Sequence, residues 1–389
     1  MTQPLPIGRR IGFSLTLAAS MAAATSLVAT LGLLGTELLA EFGISRGQLG
    51  LLIGASMLTG GACSPLLGSL TDRLGGRTAL AVVFGAASLA FAVLGIAGAY
   101  ALLFVASLLG GFANGLTNPA TNKLIATEIS PGQRALITGA KQSGVQVGTA
   151  LLGLLVPVGV LTWGWRPTVL MVGAVWLAFL PITFRVTKPV PVSDRIARLP
   201  WASAFRDVWP ISVYGMLMGT GAGVLVLLPL FAEESLGLDR IAAGRAAALA
   251  AIAAIVGRMA WTRRAERRQA FPATLRTLAL LTVLAAAALA ASTTTDWLIW
   301  PAAALIGMSA GSWNSVGMLA TIVTAGPARA GAATGWVLLG FLSGSGISTP
   351  IFGWLVDRTG SYLPAFAATA VAAMIGSLVA TKAPHQEYV

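Results

Sequence analysis

Twelve apolar runs, each near the ~20 residues that a membrane-crossing helix needs, follow one another along this chain with mostly short polar breaks between them. The first covers Ile11 to Ala40, the second Leu49 to Leu66, the third Ala79 to Ala97, and the last Leu363 to Ala380. In hydrocarbon every backbone N–H and C=O must find its partner inside the protein, so a chain patterned this way folds as helices. Composition agrees. With 56% hydrophobic residues, 10% charged and a mean hydropathy of +0.82, the chain is far too poor in charge for a soluble domain, where about 25% is usual. The class is an all-α integral membrane protein.

A formal net charge of +12 raises the question of nucleic acid, but the cations gather in alternate loops rather than on one stripe. Arg9, Arg10, Arg73, Arg77, Lys123, Arg134, Arg185, Lys188, Arg258, Arg263, Arg264 and Lys382 fall on one side, whereas Arg46, Arg166, Arg240, Arg245 and Arg358 fall on the other. That asymmetry predicts a multi-pass protein of the inner (plasma) membrane with both termini cytoplasmic, lipid as its surroundings and no nucleic acid partner. Trp163, Trp165, Trp297 and Trp300 then stand at the outer interface, Trp201 and Trp209 at the inner one. Arg9-Arg10 precedes an apolar run much longer than a signal core, so the run reads as an uncleaved first helix. Cys63 is the single cysteine and His385 the single histidine, which leaves no disulfide and no expected metal or cofactor site.

The longest polar interruption, Thr187 to Pro210, divides the runs six and six. It predicts a bundle over 1–186, a cytoplasmic linker over 187–210 whose Ile196, Leu199, Trp201 and Phe205 suit a short interfacial helix, and a second bundle over 211–389. Internal repetition supports the split. Gly115 and Gly311, Asn118 and Asn314, Gly144 and Gly340, and Gly148 and Gly344 all stand 196 residues apart (311 − 115 = 196). Two parallel halves with a site between them near midplane is the architecture this implies.

Between the second and third runs lies a charged, glycine-rich island, Gly68-Ser69-Leu70-Thr71-Asp72-Arg73-Leu74-Gly75-Gly76-Arg77, which reads as a tight turn at a membrane face. Its Gly68, Leu70, Asp72, Arg73, Gly75 and Arg77 fill a pattern that resembles the signature loop of the major facilitator superfamily, and the resemblance covers essentially the whole chain. It implies twelve transmembrane helices in two pseudo-symmetric six-helix bundles. It further implies that Asp72 tethers the loop to the eleventh helix and helps hold one access state, with Arg73 and Arg77 as supporting cations and Gly68 and Gly75 shaping the turn. The second half departs from the pattern: Trp261 stands where the repeat would place the aspartate, so the tether reads as one-sided. Gly353 to Tyr362, with its counterpart Trp163 to Arg166, resembles an outer-face turn of the same family and reads as hinge and packing.

Charges inside a span are costly and therefore mark function. Lys141 lies about two turns into the fifth run, next to Gln142, Ser143 and Gln146. Two readings are open: its ammonium lines a cavity and takes an anion from outside, or it snorkels to the inner headgroups. Asn114, Asn118 and Asn122 form a polar stripe at helical spacing on the fourth run, and Asn314, Trp313 and Trp336 occupy the matching region of the second half. Either stripe suits a substrate wall or plain interhelical contact. Of the acids, Glu37 alone sits well within an apolar run, near its outer end.

Two transport functions follow. One is a secondary transporter, monomeric, carrying a small organic or inorganic anion such as a monocarboxylate, with proton coupling. The other is a proton-driven exporter of drugs or metabolites. The stretch Ser143 to Gly148 lacks the Gly-Pro that exporters of the resembled family show, and Ser107 stands where they often carry an arginine. An enzyme is not expected: the chain has no Gly-x-x-x-x-Gly-Lys loop, no His-Glu-x-x-His and no paired carboxylates in the bilayer.

Overall fold

A computed structural model describes residues 7–129, 131–188, 201–268 and 270–382, and every regular element among them is helical. By its contacts the chain divides into two units, residues 1–31 with 55–197 and residues 32–54 with 198–389. The first holds most of α1 (Ile7–Leu33), the greater part of α3 (Arg46–Leu74), then α4 (Gly76–Gly95), α5 (Tyr100–Glu128), α6 (Pro131–Trp163) and α7 (Trp165–Val186). The second holds α2 (Gly35–Phe42), the first turns of α3, then α8 (Trp201–Leu236), α9 (Arg240–Arg268), α10 (Phe271–Ser292), α11 (Ile299–Met308), α12 (Trp313–Thr359) and α13 (Leu363–Val379).

Ten of these helices are long and apolar enough to cross a membrane. The expected twelve are completed by α3 and by the run that begins as α11, breaks over Ser309–Ser312 and resumes as α12. At 47 residues α12 would measure ~70 Å if straight, more than twice the ~30 Å of a hydrocarbon core. It doubles back instead. The rings of Trp313 and Phe341 lie 5.5 Å apart, whereas 28 residues of straight helix (341 − 313 = 28) would separate them by ~42 Å. One element thus supplies the end of the tenth span and all of the eleventh.

The 196-residue repeat is written into the packing of each unit. In the first, Gly144 and Gly148 of α6 press on Ala18 and Ala22 of α1, and Gly111 and Gly115 of α5 press on Ser56 and Gly60 of α3. In the second, Gly340 and Gly344 of α12 press on Ser212 and Met216 of α8, and Gly307 and Gly311 press on Ala250 and Ala254 of α9. The glycines are offset by 196 and the residues they meet by 194 (212 − 18, 216 − 22, 250 − 56 and 254 − 60). At each place a Cβ would run into a neighbouring helix, so the small residues set how closely the helices pack.

Two expectations are corrected here, and a third observation concerns residues 32–54. The charged island is not a turn throughout: α3 stays helical to Leu74, and the chain reverses at Gly75 alone, whose φ of 78° only glycine adopts without strain. No separate interfacial helix contains Phe205 and Arg206, which belong to the first turns of α8, while residues 189–200 lie outside those described. Residues 32–54 cluster with 198–389 rather than with the first half. They are drawn there by glycine contacts, Gly32 on Val226, Gly35 on Leu230, Gly50 on Pro350 and Gly54 on Gly346.

Candidate functional site

Lys141 is completely buried, and its side chain is directed onto α5. The ammonium donates to Asn122 Oδ1 at 2.6 Å, Thr121 Oγ1 at 2.7 Å and Asn118 Oδ1 at 3.4 Å. The local sequence explains the convergence. Asn118 and Asn122 stand one helical turn apart, Thr121 lies between them, and the Thr121 hydroxyl is aimed by donating to the carbonyl of Thr117 at 2.7 Å. Pro119 withholds its N–H from the carbonyl of Gly115 and so loosens α5 beside Asn118.

All three acceptors are neutral. They satisfy the ammonium's protons, and among the described residues no carboxylate pairs with it, an arrangement that costs several kcal/mol unless something else repays it. Each asparagine oxygen that faces Lys141 also leaves an amide NH2 pointing elsewhere. Asn118 is half-buried and Asn122 exposed, and an amide whose oxygen is held by a cation is a stronger donor at its nitrogen. The buried charge is thus relayed to donors at the surface of the unit. Gln142 joins them by donating to Asn118 Oδ1 at 3.5 Å, and Gln146 and Asn114 are half-buried on the same two helices.

In the second unit the polar region centres on the break between α11 and α12. The interruption frees carbonyls that α9 takes up: Trp261 Nε1 donates to Met308 O at 3.0 Å, and Arg258 Nε donates to Gly311 O at 3.3 Å. Trp261, which reads in sequence as a lost aspartate, therefore has its own task. Arg258 was counted among loop cations, yet it lies half-buried beside the broken backbone. It is the functional candidate that the sequence did not single out. Only the three-dimensional neighbour Gly311, 53 residues away, distinguishes it.

Trp313 is not a cavity wall. It is fully buried, edge-on to Tyr214 at 5.6 Å and to Phe341 at 5.5 Å, and it covers Gly215 and Gly317 as part of the unit's core. Trp336 is half-buried against Phe205 at 4.8 Å, and Asn314 is half-buried next to the break.

Of the gating residues, Asp72's side chain lies outside those described. Arg73 is exposed. Arg77 donates Nη2 to the carbonyl of Phe184 at 2.7 Å and lies 4.8 Å from the centre of that ring, so it caps the C-terminal end of α7. Gly68 has open space where a Cβ would stand, and Gly75 carries the reversal. Glu37 is paired with Arg240.

Comparison with known proteins gives a consistent family. The model described as Major Facilitator Superfamily matches residues 11–349. The probable nitrate/nitrite transporter NarK2 of Mycobacterium tuberculosis is 28% identical over 242 residues, 59% of this chain and 60% of that protein's length. Human monocarboxylate transporter 11 is 26% identical over 376 residues, 91% of this chain and 78% of that one. Among solved structures, a bacterial homologue of the human lysosomal transporter Spinster superposes with a TM-score of 0.73. It covers 98% of this chain and 97% of its own, and at 17% identity it speaks for the fold alone.

Proposed function

The chain belongs to the Major Facilitator Superfamily, and from that premise we propose that it is a secondary transporter moving a small anion across the membrane by alternating access. The observation that carries the reading is the Lys141 ammonium, buried with neutral acceptors among the described residues and relayed through the amides of Asn118 and Asn122. A buried positive charge with no described carboxylate beside it is best compensated by an anionic solute that arrives and leaves. Arg258, beside the broken helix of the second unit, offers a second cation. Relatives named for nitrate or nitrite and for monocarboxylates support a small, singly charged anion.

Gln142, Gln146, Asn114 and Asn314 are assigned to orient the solute. The halves 1–186 and 211–389, joined by 187–210, are the bodies that alternate, with both termini on the cytoplasmic side. The test is uptake of labelled nitrate and lactate into proteoliposomes containing the parent protein or Lys141→Ala. The parent is expected to accumulate at least one of them and the variant neither. Equal uptake by Lys141→Ala overturns the anion assignment.

A further inference from the structure

Between Trp261 and Arg276 the chain carries Arg263, Arg264, Arg267, Arg268 and Arg276 against one acid, Glu266, a net charge of +4 (5 − 1 = 4) within 16 residues. This stretch closes α9 and opens α10. All five arginines are exposed, and among the described residues none of them forms an ion pair.

The cations stand on fixed backbone. Ala265, in the midst of the four arginines of α9, is fully buried, and Phe271 and Pro272 at the start of α10 are buried as well. The Ala270 N–H closes α9 by donating to the Ala265 carbonyl at 3.1 Å, and the Thr274 N–H opens α10 by donating to the Ala270 carbonyl at 3.0 Å. Further along, α11 packs against both helices and fixes them to one another. Because α10 begins without a side-chain cap and without an acid in its first turn, the positive end of its dipole adds to the arginines.

Depth decides what such a patch meets. At 29 residues α9 is ~43 Å long, and a hydrocarbon core of ~30 Å takes about 20 of them. Counted from Arg240 at the opposite end, the core stops near Met259, and Arg263 to Arg268 lie ~6 to 14 Å beyond it, within reach of lipid phosphates. Arg263 stands five residues before the end of α9 and Arg276 five residues after the start of α10 (268 − 263 = 5, 276 − 271 = 5), which sets both at one depth.

Both helices continue the patch into apolar stripes. On α9 the exposed positions run Ile252, Val256, Met259, Arg263, Arg267, spaced three or four residues apart and so on one face; on α10 Arg276 heads the exposed Leu280 and Leu284. An inorganic anion or an acidic protein surface would leave those stripes uncovered, whereas a molecule with an anionic head and long apolar tails covers head and stripes together. Guanidinium groups, planar and always charged, grip a phosphate through paired N–H···O bonds.

We propose that the α9–α10 turn is a docking site for an anionic phospholipid. Arg263, Arg267 and Arg276 hold its phosphate, its acyl chains lie along the stripes headed by Met259 and Leu280, and Arg264 and Arg268 extend the attraction on the adjoining face. The first unit offers no equal: at its own α3–α4 turn Arg73 is exposed, but Arg77 is engaged with the Phe184 carbonyl. The lipid therefore anchors one unit and not the other.

The test is native mass spectrometry of the purified protein titrated with dioleoyl phosphatidylglycerol or dioleoyl phosphatidylcholine, which share their tails and differ in net charge. The parent is expected to bind phosphatidylglycerol at least tenfold more tightly. Each arginine beside a lipid phosphate contributes about fivefold, so Arg263→Gln combined with Arg267→Gln is expected to weaken phosphatidylglycerol binding about twenty-five-fold and Arg276→Gln alone about fivefold. Phosphatidylcholine binding and the melting temperature are expected to stay at the parent's values, which marks the variants as folded. Arg245→Gln, exposed toward the other end of α9, is expected to change neither lipid's binding. Equal affinity of the parent for the two lipids overturns the proposal, as does parent-like phosphatidylglycerol binding in the double variant and in Arg276→Gln. A fivefold loss in Arg245→Gln also overturns it, by making the attraction diffuse, and displacement of phosphatidylglycerol by millimolar inorganic phosphate overturns it by making the patch an ion site. Failure of the anion-transport assignment would leave all of these readouts untouched.

Discussion

Replacing Lys141 by methionine separates a structural lysine from a working one. The two side chains are similar in length and volume, so the space against α5 stays filled. The substitution removes three hydrogen bonds from a charged donor, each worth about 1.5 to 3 kcal/mol, and with them the several kcal/mol that it costs to keep the unpaired charge buried. Asn122 is exposed and can turn its freed oxygen to water, which leaves Thr121 as the one acceptor stranded in the interior, at a cost of about 1 kcal/mol. The terms nearly cancel, and Lys141→Met is expected to melt near the parent temperature in detergent. Anion binding behaves differently. An anion on the Asn118 or Asn122 amide would sit about 6 Å from the ammonium, and at an effective dielectric constant of about 20 that attraction is about 2.8 kcal/mol, or about a hundredfold in affinity. Melting curves recorded against nitrate and lactate measure both quantities in one experiment. The parent is expected to be stabilised by one of these anions and the variant to need about a hundred times more of it. A variant that melts well below the parent yet keeps the parent's response to anion would make Lys141 a structural residue and refute the reasoning.

The packing makes two further predictions. A Cβ at Gly144 would overlap the Ala18 carbonyl, while Gly139, earlier on the same helix, has nothing within 4 Å; Gly144→Val is expected to abolish monodisperse protein in size-exclusion chromatography and Gly139→Ala to raise the melting temperature slightly. Trp261→Phe removes the donor to the Met308 carbonyl at the α11/α12 break and is expected to cost about 1 kcal/mol, read as a lower melting temperature.

Spans were legible in the sequence because the bilayer imposes a length and a hydropathy on each of them, and the repeat was legible because glycine is the residue that close helix contacts demand. Gly144 and Gly340 were found at one offset before anything showed that they face α1 and α8. Lys141 stood out for a related reason: a lone cation in an apolar run is conspicuous whatever it touches. Its partners were half legible, since the asparagine stripe has helical spacing but nothing in the sequence turns that stripe toward α6. Trp313 stays open in the sequence because an indole suits a core as well as a binding wall, and Tyr214 and Phe341 beside it show it packed in the core.

What sequence could not show shares one property: it depends on pairs far apart in the chain. Arg46 and Asp357 are separated by 311 residues and Arg46 and Glu234 by 188, so each reads alone as an ordinary charge at a helix end. Arg258 looks like a loop cation until the α11/α12 break places a carbonyl beside it. Helical membrane proteins put their local order into single runs, which hydropathy reveals, and their working contacts between runs, where only charge in an unexpected place gives a hint. The Asp-Arg turn of α12 is the instructive case. In sequence it reads as a hinge and packing turn, and what it holds, the opening turn of α3, follows only from the two backbone N–H groups that point at its carboxylate.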